Sequence, residues 1–333
     1  MSAVPSRPNA RRLIAAVVLV PALAALALWA FAWPAARTAP HDLPLGVAGP
    51  PAATARIERQ LTQHKGAFEI HHYADETAAR RAVEDRTVYG AVAVTAHGPE
   101  LLTASAASPM VAQLLHQAVA QRALAGTQVR TVDVVPAPAT DPRGAVLGSS
   151  VLPLALAGIA AGAVVTLLGL RGTRAVTALV GAAALAGAVA AGIAHSWLGV
   201  LTGDWWTEAG VLGLATLAVS AAVAGLAALL GQAGLGLGAG VVMLLGNPFS
   251  GAASAPRLLP EPVGTIGQWL PPGASTTLLR SVSYFDGAAA TGPALTLAWW
   301  AALGLGAVLL GSALRKRSTS AEAAAERKLA PVG

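Results

Sequence analysis

Long apolar runs without a charged side chain constrain the fold of this chain more than any other feature of its sequence. The first run, LIAAVVLVPALAALALWAFAW, fills residues 13–33. About 18 or more consecutive apolar residues are enough to cross the hydrocarbon core of a bilayer as a helix. The composition agrees, since 11% of the residues are charged, whereas soluble domains have about a quarter. We therefore expect an integral membrane protein.

Six membrane-spanning helices are predicted. The run at 13–33 is longer than the apolar core of a secretory signal peptide, which has about 7–15 residues, so it is interpreted as an uncleaved span. The other runs follow one another after residue 146. The predicted spans are 13–33, 147–170, 175–195, 209–230, 232–247 and 293–314.

A polar region separates the first two predicted spans. Within residues 34–146 acidic and basic residues balance, and short runs such as LPLGVAG (43–49) and VYGAVAVT (88–95) have the pattern of strands. Strands that alternate with helical segments predict a small α/β domain, and a Pro-rich linker follows it. The predicted fold class is an α-helical polytopic membrane protein with six transmembrane helices and a small extracytoplasmic α/β domain inserted between the first and second helices.

The distribution of basic residues predicts which segments face the cytoplasm. Lys and Arg accumulate in the cytoplasmic loops of membrane proteins, and here they cluster in residues 1–12 and in the tail at 315–333. Both termini are therefore predicted to be cytoplasmic, with the spans in the plasma membrane of the cell. The same asymmetry accounts for the net charge of +6, so the bilayer, and no nucleic acid, is the predicted partner.

The residues do not support several kinds of chemistry. Cysteine is absent, which excludes disulfides and thiolate ligands. There is no G-x-x-x-x-G-K-[ST] phosphate loop, and the adjacent His71 and His72 would point to opposite faces of a strand. No enzyme activity, cofactor or metal site is predicted. The predicted spans contain no Asp, Glu, Lys or Arg in their interiors, which argues against a proton antiporter.

Glycines in the predicted spans are interpreted as contacts between helices. Gly158 and Gly162 form a G-x-x-x-G pattern, and GLGLGAG occupies residues 234–240. Small residues allow close approach of helices in lipid. A nucleotide-binding turn would require a strand before the glycines, and none is predicted there.

Tryptophans at the edges of the predicted spans are interpreted as interfacial anchors. Indole rings favour the level of the lipid headgroups, where one edge is wet and the rest is apolar. The predicted anchors are Trp29, Trp33, Trp205, Trp206, Trp299 and Trp300.

The short loop between the second and third predicted spans is a candidate contact for a cytoplasmic partner. It consists of Arg171, Gly172, Thr173 and Arg174. Two arginines on a tight turn can bind an acidic protein surface. The alternative is that they are only the basic anchors that the positive-inside bias requires.

The stretch at 247–288 is too rich in proline to span a membrane and too apolar for a solvated linker. We predict short amphipathic segments at or within the outer interface, where irregular backbone persists if protein or a hydrated cavity covers it. One interpretation is a structural cap. The other is a gate on the outer mouth of a translocation path, with Arg280 and Asp286 as latch residues; its residues would be Pro260, Trp269, Pro272, Arg280, Tyr284 and Asp286.

The order of these parts resembles the permeases of the type-2 ATP-binding-cassette exporter superfamily, and most closely the phage-infection-protein-like (YhgE/Pip) branch. LPLGVAG, VYGAVAV, NPFSG and LPPGASTTLLRSVSYFDGA carry the resemblance. It implies a homodimeric or heterodimeric membrane subunit, powered by a separate cytosolic ATPase, that exports an amphiphile, polymer or peptide. It also implies that 248–290 is re-entrant and that the ATPase couples at Arg171–Arg174, although that loop is very short here.

Two hypotheses of different classes follow. The chain is expected to be the permease of an exporter, with a cargo that the sequence does not specify. The alternative is a cell-surface receptor or envelope-assembly protein that does not transport and acts through its extracytoplasmic domain.

Overall fold

The computed structural model describes residues 7–121 and 129–329. It is mostly helical, at 66%, and five helices are long and apolar enough to cross a membrane, as expected of a polytopic membrane protein. These five are Leu13–Ala36, Ala145–Leu167, Gly172–Trp197, Trp205–Leu230 and Thr291–Arg317. The predicted cytoplasmic ends lie partly outside the described residues.

The predicted span at 232–247 is a shorter apolar helix. It begins as α8 (Gln232–Gly240) and ends in a π-helical turn at Val241–Gly246. At 1.5 Å per residue it extends for roughly 22 Å, less than the hydrocarbon core of about 30 Å. The long spans therefore number five among the described residues, and the sixth remains a prediction. The helices outside the sheet region are α1 (Arg7–Ala36), α5 (Ala145–Leu167), α6 (Gly172–Ala191), α7 (Trp205–Leu230), α9 (Val263–Trp269), α10 (Pro271–Tyr284) and α11 (Thr291–Leu329).

Between α1 and α5 the chain forms a five-stranded mixed sheet. The strand order is β2-β1-β3-β4-β5; β1 is parallel to β2 and β3, β4 is antiparallel to β3, and β5 is parallel to β4. The elements are β1 (Leu43–Ala48), α2 (Pro51–Thr62), β2 (Phe68–Tyr73), α3 (Glu76–Glu84), β3 (Gly90–Thr95), β4 (Gly98–Thr103), α4 (Pro109–Ala120) and β5 (Arg130–Asp133).

Local capping explains where two of these helices begin. The Asp75 side chain accepts a hydrogen bond from the backbone N–H of Ala78 at 2.8 Å, which caps α3. Ser108 does the same for α4 through Val111, and Pro109 follows it at the first helical position. Both caps satisfy backbone donors that have no partner within the helix.

Both faces of the sheet are closed partly by residues from the far end of the chain. On one face Leu45 and Leu101 pack with α2 and α4, and Leu258 joins that cluster. On the other face α3 covers Leu102, and Phe285 completes the cluster. The stretch at 247–288 therefore contributes to the core around the sheet.

Helix α7 is the centre of the bundle, surrounded by α5, α6, α8, α10 and α11. Its apolar segment is 78% buried, against 28% for the apolar segment of α5. Close packing requires glycine: a Cβ on Gly158 would lie 2.7 Å from Cβ of Val219 on α7, and one on Gly162 would lie 2.7 Å from the carbonyl oxygen of Ser220. This confirms the helix-packing interpretation of the G-x-x-x-G pattern.

Two glycines of α8 also face α7. A Cβ on Gly234 would lie 2.0 Å from the carbonyl oxygen of Leu226, and one on Gly238 would lie 3.1 Å from Cα of Val223. Gly236, between them, has open space around it. The GLGLGAG run thus acts in helix packing, as its sequence context predicts.

The bundle has two distinct ends. The sheet end carries the sheet, the 198–204 turn and the stretch at 247–290. The turn end carries the short connections between α5 and α6 and between α7 and α8. At the turn end the backbone N–H of Gly172 donates to Oγ of Ser312 at 2.7 Å, which joins the Arg171–Arg174 loop to α11.

Candidate functional site between the sheet and the bundle

The stretch at 247–288 folds into one 3-10 turn at Pro256–Leu258 and the two short helices α9 and α10. The paired prolines 271 and 272 start α10, because their missing N–H groups cost nothing at the first turn of a helix. Of the 14 residues of α10, 10 are buried. Helix α10 is therefore enclosed by the sheet and the bundle, and its exposed face is small.

Arg280, on α10, is a buried cation without a carboxylate partner. Its side chain is 4% exposed, and Nη2 donates to the carbonyl oxygen of Ala252 at 2.6 Å. Asp286, the other predicted latch residue, is exposed, with φ at 49°, and does not pair with Arg280 in this structure. Steric enclosure of α10 turns the guanidinium inward, while Asp286 lies beyond the end of the helix.

A second arginine, Arg86, reaches α10 from the sheet. Its Nη1 donates to the carbonyl oxygen of Thr277 at 2.9 Å and to Oγ of Ser281. Its guanidinium carbon also lies 5.1 Å from the centroid of the Phe285 ring, within the range of a cation–π interaction. Arg86 thereby fastens the loop before β3 to the C-terminal half of α10.

Burial shifts the pKa values of the arginine cluster, which consists of Arg86 and Arg280, and of the neighbouring Tyr89. The pKa of Arg280 is lowered to about 10, mainly by burial and to a smaller extent by the charge of Arg86. Burial also lowers the pKa of Arg86 and raises that of the Tyr89 phenol. No described carboxylate lies within 4.0 Å of either guanidinium. The positive charge at this contact is therefore left uncompensated.

Two hydrogen bonds connect α10 to the turn at 198–204. The Tyr284 hydroxyl donates to the carbonyl oxygen of Val200 at 2.6 Å, and Oγ1 of Thr202 donates to that of Ser283 at 2.9 Å. Burial raises the pKa of Tyr284 to about 12. Of the predicted gate residues, Tyr284 is thus a contact between α10 and the bundle.

A histidine paired with a buried carboxylate lies beside this turn. Nδ1 of His195 is 2.7 Å from Oε2 of Glu208, whose side chain is fully buried. The sequence did not predict the pair, because one predicted span ended at residue 195 and the next began at residue 209. In the structure α7 begins at Trp205 and the preceding span continues to Trp197. Glu208 therefore lies in the first turn of α7, at the end of the span and not in its interior.

The other predicted gate residues do not converge on one point. Pro260 is buried before α9, and Pro272 packs on Gly246, where a Cβ would lie 2.8 Å from Cγ of the proline. Trp269 is exposed, and its carbonyl oxygen accepts a hydrogen bond from Nε1 of Trp300 at 2.8 Å.

Four of the predicted anchor tryptophans form two contacting pairs. Trp29 stacks on Trp33 with ring centroids 5.5 Å apart, and Trp205 meets Trp206 edge-to-face at 4.6 Å. Trp206 and Trp299 are mostly exposed. Exposed indoles at the ends of apolar helices suit the predicted interfacial anchoring.

The predicted coupling loop lies at the turn end, far in the fold from the arginine cluster. Arg171, Thr173 and Arg174 are exposed, and Gly172 has a left-handed φ of 57°. Beside the loop is a cavity of about 90 Å³ that Arg171 and Arg315 help to line. The loop is thus a free basic surface on the bundle.

A larger apolar cavity lies on the sheet. Its volume is about 280 Å³, and it lies between α2 and α4 over Leu45, Val92 and Leu101. Arg56 and Gln60 supply polar atoms on the α2 side. Within the described residues there is no group of three or more His, Asp or Glu side chains that could hold a metal ion.

Comparisons with known proteins do not assign a function. No family model, curated protein or solved structure matches this chain. Function has to be inferred from the geometry of the bundle, the arginine cluster and the cavities.

Proposed function

We propose that this chain is the permease subunit of an ABC-type exporter in the plasma membrane, powered by a separate cytosolic ATPase. The observation that carries the proposal is the asymmetry of the bundle: a folded sheet closes one end, and an exposed arginine turn marks the other. In this proposal the sheet end is extracytoplasmic and both termini are cytoplasmic. The short helix at 232–246 completes a sixth span.

The arginine turn is the proposed contact for the ATPase. Arg171 and Arg174 are exposed at the end of the bundle, and the loop is tied to α11 through Ser312. Movement of the loop would therefore be transmitted to α6 and α11, which both pack on α7. The cargo would be an amphiphilic or polymeric molecule, and two copies, or this chain and a related one, would form the path.

The arginine cluster supports a role for α10 in such a cycle. Arg86 bonds α10 to the sheet, and Tyr284 bonds it to the 198–204 turn. A movement of the bundle would therefore be transmitted to the sheet through this helix. We propose that 248–290 acts as an outer gate rather than only as a cap.

Charge reversal at the turn tests the proposal. The chain carrying Arg171→Glu and Arg174→Glu is purified in mild detergent beside wild type, and co-purifying ATP hydrolysis is measured. We expect at least about a tenfold loss, since exposed basic contacts act mainly through complementary charge. Arg143→Glu, an exposed arginine at the sheet end, is the matched control. Equal activity in all three preparations, or none in wild type, would remove the ATPase from the proposal.

A second candidate function rests on the cavity of about 280 Å³. An apolar pocket with an arginine at its side is suited to a ligand with a hydrocarbon part and an anionic group, so the chain could be a surface receptor or envelope-assembly protein. Ala118→Phe would fill the cavity, and Gln117→Phe, at an exposed position of the same helix, is its control. If the chain is such a receptor, Ala118→Phe should abolish ligand binding and Gln117→Phe should not. Charge reversal at Arg171 and Arg174 should then have no effect.

A further inference from the structure

The His195–Glu208 pair joins the ends of two apolar helices. Glu208 is fully buried in the first turn of α7, and Oε2 lies 2.7 Å from Nδ1 of His195. Its other oxygen, Oε1, accepts a hydrogen bond from the backbone N–H of Gly203 at 2.8 Å. Both carboxylate oxygens therefore have partners, and the imidazole is the only ionisable one.

The location of this pair is unusual for a purely structural contact. Burying a carboxylate is costly unless it is hydrogen-bonded or paired, and ionisable groups in membrane helices are commonly functional. His195 also belongs to a π-helical turn at Gly192–Trp197, a geometry that occurs frequently at functional sites. The His195 side chain is 30% exposed, whereas that of Glu208 is fully buried.

Several charged and titratable groups lie near the pair. Asp204 precedes α7 and interacts electrostatically with the histidine, and Asp141 caps α5 near Tyr284. From α10, Tyr284 and the buried Arg280 also face this region. Helix α11 has no ionisable residue from 291 to 314. Two carboxylates, Glu208 and Asp204, thus interact with the histidine.

We propose that His195 and Glu208 form a proton-binding site, whether or not the chain transports anything. Neutral His195 donates its Nδ1–H to Oε2 of Glu208, which leaves the lone pair of Nε2 free. A proton from solvent forms an N–H bond at Nε2, and the charge of the pair changes from negative to neutral. The positively charged imidazolium then attracts the carboxylate more strongly than the neutral ring does. This weakens the hydrogen bond from the backbone N–H of Gly203 to Oε1, so the 198–204 turn is held less tightly against α10.

Nitrogen NMR of the histidine rings tests the binding step. The full chain, with ¹⁵N-labelled histidine in lipid nanodiscs, is titrated from pH 9 to pH 5, and subtraction of the His195→Gln spectrum identifies the His195 signals. We expect the Nδ1–H tautomer at the alkaline end, because the partner of one ring nitrogen fixes the tautomer. Protonation of Nε2 should follow on acidification. An Nε2–H tautomer at the alkaline end, or no change across the range, would overturn the proposal.

Two further variants separate this role from packing. Glu208→Gln should abolish the preference for the Nδ1–H tautomer. Asp204→Asn keeps a residue that caps helices well, removes a nearby charge, and should leave the tautomer unchanged. If the Glu208 variant does not fold, the wild-type titration still decides. Loss of the tautomer in the Asp204 variant as well would contradict the assignment to Glu208.

Hydrogen exchange tests the consequence for the turn. After correction for the intrinsic pH dependence of exchange, amides of residues 198–204 should exchange about tenfold faster at the acidic end, since a hydrogen bond to a charged acceptor is weakened. The His195→Gln chain should show no such change. Equal acceleration in both chains, or none in wild type, would show that proton binding does not reach the turn.

Discussion

The contact between the sheet and the bundle depends on two arginines whose charges repel each other. Arg86 and Arg280 are both buried, and each bonds to backbone or hydroxyl oxygen rather than to a carboxylate. A buried charge without a counter-ion costs free energy that its hydrogen bonds have to offset. These residues therefore specify where α10 lies more than they stabilise the fold.

Replacing Arg280 tests this view of the residue. Arg280→Met keeps most of the side-chain volume and removes the charge, so we expect a change in the free energy of unfolding within about 1 kcal/mol. Arg280→Ala also removes the charge but opens a cavity, at a cost of about 2–4 kcal/mol. Thermal unfolding in detergent measures both. Equal, large losses would mean that the charge itself stabilises the contact.

The three tyrosines give a pH-dependent prediction. Burial raises the pKa of Tyr73 and Tyr89, and raises that of Tyr284 to about 12. The folded chain thus favours the protonated phenol. That contribution to stability is complete below about pH 10, the ordinary value, and is lost as the pH rises towards 12. Ultraviolet titration at pH 10.0 should show far less tyrosinate in the native chain than in the denatured one; equal absorbance would contradict it.

At the scale of elements, glycine positions decide how closely helices approach α7. A Cβ on Gly304 of α11 would lie 2.3 Å from the carbonyl carbon of Ala221, whereas Gly306 has nothing within 4 Å. The helices meet along one face of α11 only. The spacing of glycine along a helix therefore matters less than the face on which each residue lies.

Alanine at these two positions gives a matched comparison. Gly304→Ala should destabilise the folded chain by about 1–3 kcal/mol, because the backbone of α7 cannot move aside easily. Gly306→Ala should be neutral or stabilising by up to about 1 kcal/mol, since alanine favours helix more than glycine does. Thermal unfolding of both variants checks this. A similar loss in both would mean that α11 does not pack on α7 as described.

At the scale of the whole molecule, the helix at 232–246 decides the membrane topology. If it spans, the turn end is cytoplasmic throughout and the sheet end is outside. Its backbone runs from the turn end back to the sheet end, antiparallel to α7. In the six-span proposal, its short length would require the 247–290 region to complete the crossing on the sheet side.

Single cysteines test that arrangement, since the chain has no native cysteine. Cysteine at Lys65 and at Thr265 should react with an impermeant reagent on intact cells, because both side chains are exposed at the sheet end. Cysteine at Thr173 and at Gln232 should react only after permeabilisation. Labelling of position 232 on intact cells would contradict the six-span proposal and leave five spans.

The sequence by itself determined the apolar helices and the polar interruption at 247–288. Hydropathy is a local property, so runs such as 13–33 and the paired prolines before α10 are sufficient to locate them. The capping residues Asp75 and Ser108 are local in the same sense. These features do not depend on how the helices pack against one another.

Only the tertiary structure decided which polar groups are buried and what they contact. Hydropathy places Glu208 in a loop. In the structure α7 begins at Trp205, so Glu208 lies in its first turn and contacts His195. Arg280 and Asp286 have opposite charges and lie near each other along the chain, yet enclosure of α10 separates them. Such contacts join residues that are far apart in sequence, and burial depends on all of them at once, so no local pattern contains them.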